Sequence, residues 1–195
     1  MFANTKASGC SCQGKSAATA VGYLGSASFP GSSSNHRRWL VVDDVLSTAV
    51  GKSVLRWRGD PETFYNLFRF EVVGNLDSEG AELAEHRGRI FVTTWPAGFR
   101  IETLASLYMS PPIPPGGLTN LQADDWKKVW QADDSEPDPV TAATYGGGAL
   151  ASFDGYLHWG TMHFPFLSTH AHFSFYGETG AKQLGCCPPV GLVGF

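Results

Sequence analysis

One short stretch of the chain matches the phosphate-binding loop found in nucleotide hydrolases. Residues 9–16 read GCSCQGKS, which fits G-x-x-x-x-G-K-[ST], and an acidic pair, Asp43 and Asp44, ends the later run WLVVDD. In such a loop backbone N–H groups hold the phosphates, which requires a buried apolar strand before the loop and a helix after it. The residues MFANTKAS before the motif are small and polar, and AATAVGYLG after it contains two glycines. The flanking sequence therefore disfavours a nucleotide hydrolase.

Four of the six histidines lie within fifteen residues; they are His158, His163, His170 and His172. Imidazole is a common ligand of zinc and copper, and three imidazoles can form a site. On a strand, His170 and His172 would point to the same face, and a paired strand could bring His158 or His163 near them. The cluster predicts a zinc or copper site, completed by Asp154 or Glu178. Histidines on the surface of a half-buried sheet are the alternative.

Carboxylates are concentrated in residues 124–138, and residues 132–139, ADDSEPDP, form an acidic loop made rigid by proline. Oxygen ligands from such a loop could bind calcium, although the spacing of an EF-hand is absent. A solvated acidic loop is the alternative. Carboxylate pairs also serve glycoside hydrolysis, but no spacing here fixes one. The candidate ligand-binding residues, for a glycan or a protein ligand, are Trp95, Tyr145, Asp133 and Asp134.

The cysteines lie near the two ends of the chain, at Cys10, Cys12, Cys186 and Cys187. Neither C-x-C nor C-C has the C-x2-C spacing common in zinc sites. Free or disulfide-linked cysteines are therefore favoured over a four-thiolate site, and the cellular compartment is left open. No apolar run approaches the roughly 20 residues of a membrane-spanning helix.

The amino-acid composition indicates which secondary-structure elements carry these side chains. The chain has 195 residues, with 43% hydrophobic, 13% aromatic and only 16% charged residues, and it contains 23 glycines and 12 prolines. Many aromatics and turn residues with few charges are typical of short strands joined by tight turns. The net charge is −4 and no basic stripe is present, which argues against binding to nucleic acid.

A repeat organises the chain, with similar segments at residues 14–30, 80–96 and 147–165. The segments open at Gly14, Gly80 and Gly147, and each has a second glycine eight residues later, at Gly22, Gly88 and Gly155. These second glycines are 66 and 67 residues apart. A constant period predicts stacked supersecondary units that bury their faces against one another.

Within each unit the pattern indicates antiparallel strands. Residues 149–153 and 156–161 flank Asp154 and Gly155, a pair suited to a tight hairpin turn, and Arg87 and Gly88 hold the same place in the second unit. Further strands are predicted at residues 106–110, 171–177, 126–132 and 68–74. The run WLVVDD is ambiguous and could be an additional strand.

These features resemble a known family. The pattern G-x-L-x-x-G-T at residues 155–161, after Gly147 and Gly148, is similar to the first two strands of kelch-like β-propeller blades. Trp126 and Trp130 correspond to the tryptophans often found on the fourth strand. The resemblance covers roughly residues 80–177 and implies blades of four antiparallel strands.

We therefore predict an all-β fold, a partial or open β-propeller of two to three four-stranded antiparallel blades in residues 14–181. Irregular segments are predicted at residues 1–13 and 182–195. Three units are fewer than the four to eight blades of closed propellers, so we expect a piece of a longer protein or a homo-oligomer that completes the ring. The favoured function is a binding module for a glycan or protein ligand. The alternative is a metal-dependent enzyme that uses the four clustered histidines.

Overall fold

The structure, a computed structural model, describes residues 38–59, 69–96, 103–163 and 165–183. In these ranges the chain is mostly β, with three antiparallel sheets of four, four and two strands. The first sheet contains β1 (Trp39–Val42), β2 (Val45–Val50), β3 (Ser53–Trp57) and β4 (Phe70–Asn75). The second contains β5 (Glu79–His86), β6 (Arg89–Trp95), β7 (Ser106–Met109) and β8 (Lys127–Gln131), and the third contains β9 (Tyr145–Phe153) and β10 (Tyr156–His163).

Helices are few in the described ranges. Single 3-10 turns lie at Asn120–Gln122 and Ala132–Asp134, and the short helix α1 covers Pro139–Ala142. Helix α2 covers Pro165–Gln183 and is interrupted at Gly177, where φ is 71° and ψ is 172°. None of the described helices is long and apolar enough to cross a membrane.

Each sheet begins with a hairpin whose two turn residues both have positive φ. Arg87 and Gly88 have φ of 51° and 69°, and Asp154 and Gly155 have φ of 50° and 76°. Positive φ at both central residues defines the turn that matches the right-handed twist of the paired strands. The two tight turns predicted from the repeat are thus confirmed. The run WLVVDD, ambiguous in sequence, forms β1 and the turn into β2.

The second sheet is the middle layer, and its side chains alternate between the two faces. Successive residues of a strand point to opposite sides, so each strand of this sheet supplies both interfaces. Leu83, Val92 and Tyr108 pack toward the first sheet with Ala49, Val54 and Val73. Ala84, Leu107 and the half-buried Phe91 pack toward the third sheet with Leu150 and Leu157. The larger core therefore lies between the two four-stranded sheets.

Glycine lets each sheet approach the sheet before it. A Cβ on Gly80 of β5 would lie 2.6 Å from the Cβ of Ala49 on β2, and a Cβ on Gly147 of β9 would lie 2.6 Å from the Cβ of Ala81 on β5. Carbon atoms do not approach so closely, so the packing distance requires that these two positions have no side chain. The opening glycines of the second and third repeat units thus mark successive sheet contacts.

The connection between β7 and β8 crosses back to the first sheet. Nε1 of Trp126 donates to the carbonyl of Val73 at 2.7 Å, and the indole lies over Gly74, where a Cβ would be 2.5 Å from Cε2. Nη1 of the buried Arg56 donates to the carbonyls of Gly116 and Leu118 at 3.0 and 2.6 Å. The Arg56 side chain of β3 and the Trp126 side chain of this connection, which packs on the main chain of β4, therefore join the first two sheets.

Most predicted strands agree with the structure. Residues 106–110, 126–132 and 68–74 contain β7, β8 and most of β4. The strand predicted at residues 171–177 is wrong, because these residues belong to α2. The segment is held as a helix through tertiary contacts of His172 and Tyr176 with Asp138, and no described strand lies beside it for pairing. The first repeat unit, residues 14–30, and the predicted irregular segment 1–13 lie outside the described residues. Of the predicted irregular tail, residues 182–195, only residues 182 and 183 are described, and they end α2.

We predict that Gly147→Ala destabilises the fold by about 1–3 kcal/mol, because the added methyl group must displace Ala81 or the carbonyl of Thr94. Urea unfolding followed by circular dichroism measures the change. Gly160→Ala on the adjacent strand is the matched control, since a Cβ there meets no atom within 4 Å. Equal stabilities of the two variants would contradict the packing role of Gly147.

Candidate functional site

A groove of about 420 Å³ opens where the first strands of the three sheets come together. We call it the glycine groove. Its lining comes from the residue before β1 and from β5, β9 and β10; the residues are Arg38, Ala81, Glu82, Gly147, Gly148, Ala149, Gly160, Thr161 and Met162. Small-molecule sites commonly have volumes of roughly 300–1,000 Å³, so the groove is large enough for a small ligand.

Three glycines make the floor of the groove from main chain. The β9–β10 pairing is irregular between Trp159 and Thr161, which places Gly160 beside Gly148. A Cβ on Gly148 would fall on the carbonyl oxygen of Gly160, so a side chain cannot be accommodated there. The carbonyl of Gly148 accepts a hydrogen bond of 3.2 Å from Oγ1 of Thr93 on β6, which ties the floor to the second sheet.

The charged groups of the groove are an ion pair. Nη1 of Arg38 donates to Oε2 of Glu82 at 3.1 Å, and the side chains are 50% and 23% exposed. Exposed ion pairs contribute little to stability, typically less than about 1 kcal/mol. The Arg38 guanidinium and the Glu82 carboxylate can therefore separate and bind a polar ligand with little loss of folding stability.

The four candidate ligand residues of the sequence lie outside this groove. Trp95 ends β6 and is half-buried, and its carbonyl accepts from Oγ of Ser78 at 2.6 Å. Tyr145 starts β9 and packs against a small core with Leu104 and Ala132. Asp133 and Asp134 accept hydrogen bonds from the side chain and backbone N–H of Gln131 at 3.0 and 2.8 Å. The two aspartates thus stabilise a 3-10 turn.

The four clustered histidines occupy different environments. His158 is exposed on β10 between the rings of Phe153 and Tyr156, whose centroids are each 6.4 Å away. His163 ends β10, with its ring centroid 5.3 Å from that of Tyr145. His170 is exposed on α2, whereas His172 is buried. Because α2 is a helix, residues two positions apart do not lie on the same face. The prediction that His170 and His172 point to the same side assumed a strand, so its geometric basis is lost.

Among the residues that the structure describes, no group of three or more His, Cys, Asp or Glu side chains is placed to hold a metal ion. Asp154, the proposed fourth ligand, lies in the β9–β10 turn, and Glu178 lies on α2. Cys10, Cys12, Cys186 and Cys187 lie outside the described residues. The described part of the chain therefore offers single histidines rather than a preformed metal centre.

Asp138 is the centre of a polar network that the sequence did not single out. It is the N-cap of α1, where Oδ2 accepts from the backbone N–H and the hydroxyl of Thr141 at 2.7 and 2.6 Å. The hydroxyl of Tyr176 donates to Oδ1 at 2.6 Å. Nε2 of His172 lies 2.8 Å from Oδ2, and its Nδ1 lies 2.7 Å from the carbonyl of Ser168. The network attaches α2 to α1.

These contacts change the acidity of two groups. Burial alone would raise the pKa of Asp138, but the hydrogen bonds from Thr141, Tyr176 and His172 outweigh burial and lower that pKa to about 2. The hydrogen bond to the Asp138 carboxylate raises the pKa of the Tyr176 hydroxyl. Asp138 is therefore ionised and fully engaged as an acceptor, which suits an anchor better than a proton-transfer group.

The sequence around Asp138 contains a helix-start signal that could have identified its role in holding α1 and α2 together. Asp138 followed by Pro139 is the typical start of a helix, with a side-chain cap and proline at the first position. By contrast, Arg38 and Glu82 are single charged residues 44 positions apart in sequence, and no local pattern connects them.

Comparisons with protein-family models, with curated proteins and with solved structures found no match to this chain.

We predict that Asp138→Ala lowers the free energy of unfolding at pH 7 by about 1–2 kcal/mol, because the helix loses its cap. A carboxylate with a lowered pKa contributes its stability above the unfolded pKa of about 4 and loses it as the pH falls toward 2. The difference between wild type and variant should therefore shrink from pH 6 to pH 3 in urea titrations. Asp138→Asn, which keeps a capping oxygen but no charge, is the control. If the difference in unfolding free energy between wild type and Asp138→Ala did not change with pH, the lowered pKa of Asp138 would be contradicted.

We predict that the described histidines and acidic residues give no stabilisation by zinc, copper or calcium, so any change of the thermal midpoint of unfolding with these ions should be the same in wild type and in His170→Ala. The described histidines are separated, and Asp133, Asp134 and Asp138 already accept hydrogen bonds within the chain. Scanning fluorimetry of the chelator-treated protein with each ion measures this. A metal-induced increase in the midpoint that His170→Ala abolishes would instead support the metal site predicted from sequence.

Proposed function

We propose that the chain is a binding module, built on a partial β-propeller, that takes a neutral glycan in the glycine groove. The observation that carries this proposal is the exposed Arg38–Glu82 ion pair above a floor of glycine backbone. The groove combines hydrogen-bond donors, acceptors and a small apolar surface in one place, and these are the groups that a sugar ring needs.

The order of the strands supports the propeller part of the proposal. Each four-stranded sheet is a meander in which every strand pairs with the next one in sequence, and each sheet packs on the preceding one through its first strand. Propeller blades are four-stranded antiparallel sheets arranged around a central channel. In such an arrangement the first strands line the channel. The glycine groove is lined by the first strands β5 and β9, by Arg38 before β1, and also by β10, the second strand of the third sheet.

The charge balance of the groove supports a neutral ligand. The lining that the structure describes contains one guanidinium and one carboxylate and no further charged side chain. An anionic ligand would meet the carboxylate of Glu82, and a cationic ligand would meet the guanidinium of Arg38. Hydroxyl groups can both donate to Glu82 and accept from Arg38. The side chains of Ala81, Ala149 and Met162 provide apolar contact for the C–H face of a sugar.

A metal-dependent enzyme on the same scaffold is the alternative function. Its histidine ligands would be His158, His163, His170 and His172, and no contact among the described residues brings three of them together. None of the described residues that line the groove is a histidine or a cysteine. These observations favour binding without turnover.

We predict that the protein binds neutral oligosaccharides on a glycan array, and that Glu82→Gln and Arg38→Gln each weaken the best ligand at least tenfold. Each substitution removes a charge-assisted hydrogen bond, typically worth about 1.5–3 kcal/mol. Isothermal titration calorimetry measures the affinities, and chromatography of the recovered sugar tests whether it is unchanged.

Glu79→Gln is the matched control, because Glu79 lies on the same strand but outside the groove. It should bind like wild type. Binding that survives both groove substitutions would place the ligand elsewhere, and the absence of binding to all neutral sugars at millimolar concentration would contradict the glycan proposal. Conversion of the sugar would favour the enzyme.

A further inference from the structure

The outer strand of the third sheet, β10, presents an edge to which no described strand is bonded. In the second sheet, the strand at the same position in the meander, β6, pairs with β7 through Phe91, Val92 and Thr93. Among the described residues the third sheet has two strands, and α2 follows β10 closely. No strand of the described ranges pairs with the N–H and C=O groups on the outer side of β10, and such an edge can accept a partner strand.

The sequence of β10 lacks the charge and the proline that protect many sheet edges, although its pairing with β9 is irregular between Trp159 and Thr161. Its eight residues, YLHWGTMH, contain no charged residue and no proline. The outer strand of the complete second sheet, β8, carries the exposed Lys127 and Lys128. Charged side chains, lysine above all, and proline are the usual means by which natural edges avoid further pairing. The edge of the third sheet thus lacks the lysines that the edge of the second sheet carries.

Both faces of β10 also expose large apolar side chains. Tyr156, Trp159 and Met162 are 69%, 43% and 42% exposed. Burial of each such side chain against a partner contributes favourable free energy in proportion to the area removed from water. A partner strand at this edge would thus gain both main-chain hydrogen bonds and apolar contact.

We propose that β10 pairs antiparallel with β10 of a second copy of this chain, about a twofold axis. The pairing joins two two-stranded sheets into one sheet of four strands, in the order β9, β10, β10 and β9. Four strands is also the size of the other two sheets of the chain. Antiparallel pairing of identical strands is self-complementary, and the absence of charge on β10 means that no like charges meet. The contact is closed and gives a dimer, and it needs no ligand in the glycine groove, although Gly160, Thr161 and Met162 of β10 also line that groove.

Sedimentation velocity of the full chain from micromolar to submillimolar concentration tests the proposal. The expected species has twice the 21.0 kDa mass of the chain. Tyr156→Lys combined with His158→Lys places charge on the exposed edge strand and should return the protein to a monomer at all concentrations, with an unchanged circular dichroism spectrum. Val129→Lys, at a 45% exposed position on the edge strand β8, is the matched control and should remain a dimer.

Hydrogen exchange of the wild-type protein provides a measurement that does not depend on the folding of a variant. Amides of β10 should exchange more slowly as the concentration rises, whereas amides of β8 should not change. A wild-type monomer throughout the range, assemblies that grow beyond two chains, or a dimer with unprotected β10 amides would each overturn the proposal. A monomer whose β10 becomes protected only with an added strand-forming peptide would assign the edge to another partner.

Discussion

The close approach of consecutive sheets is the constraint on which the rest of this structure depends. Gly80 and Gly147 let β5 and β9 lie against the preceding sheet at a distance that no side chain would permit. This distance brings Leu83 and Val92 into one core with Val54 and Val73. Packing at this separation leaves room only for small residues where the first strands meet, and larger residues fill the space further out. The positions of Gly80 and Gly147 in the sequence thus correspond to the places where consecutive sheets pack most closely.

The same constraint produces the groove. Where strands approach through glycine, the main chain itself becomes the exposed surface, and hydrogen-bonding groups that are normally covered by side chains line the opening. Arg38 and Glu82 then place one positive and one negative group at the rim, and their charges cancel. The other polar cluster, around Asp138, has the opposite character, because every oxygen of the carboxylate is occupied by a donor from α1 or α2. One cluster is open to a ligand, and the other holds a helix in place.

The sequence predicted those parts of the fold that local chemistry determines. The hairpin turns at Gly88 and Gly155 follow from residues that tolerate positive φ, and the strand predicted at residues 126–132 contains β8. The helix at His172 could not be foreseen from its own residues, because contacts with Asp138, 34 positions away, hold it in place. Likewise, Arg38 and Glu82 meet only after two sheets have packed. Asp138 and Pro139 did carry a readable helix-start signal within the acidic segment.

The return of the β7–β8 connection to the first sheet has a consequence for how the molecule opens. Trp126 reaches Val73 across 53 residues of sequence, and Arg56 holds the backbone of Gly116 and Leu118. Breaking the first sheet away from the second therefore requires the loss of a buried indole contact and a buried guanidinium contact together with the main core. The third sheet packs on the second through a smaller core, the close approach of Gly147 to Ala81, and hydrogen bonds such as those from Thr93 to Gly148 and from Arg87 to Gly155. The first two sheets thus form one cooperative unit of unfolding, to which the β9–β10 hairpin is attached largely through glycine main chain.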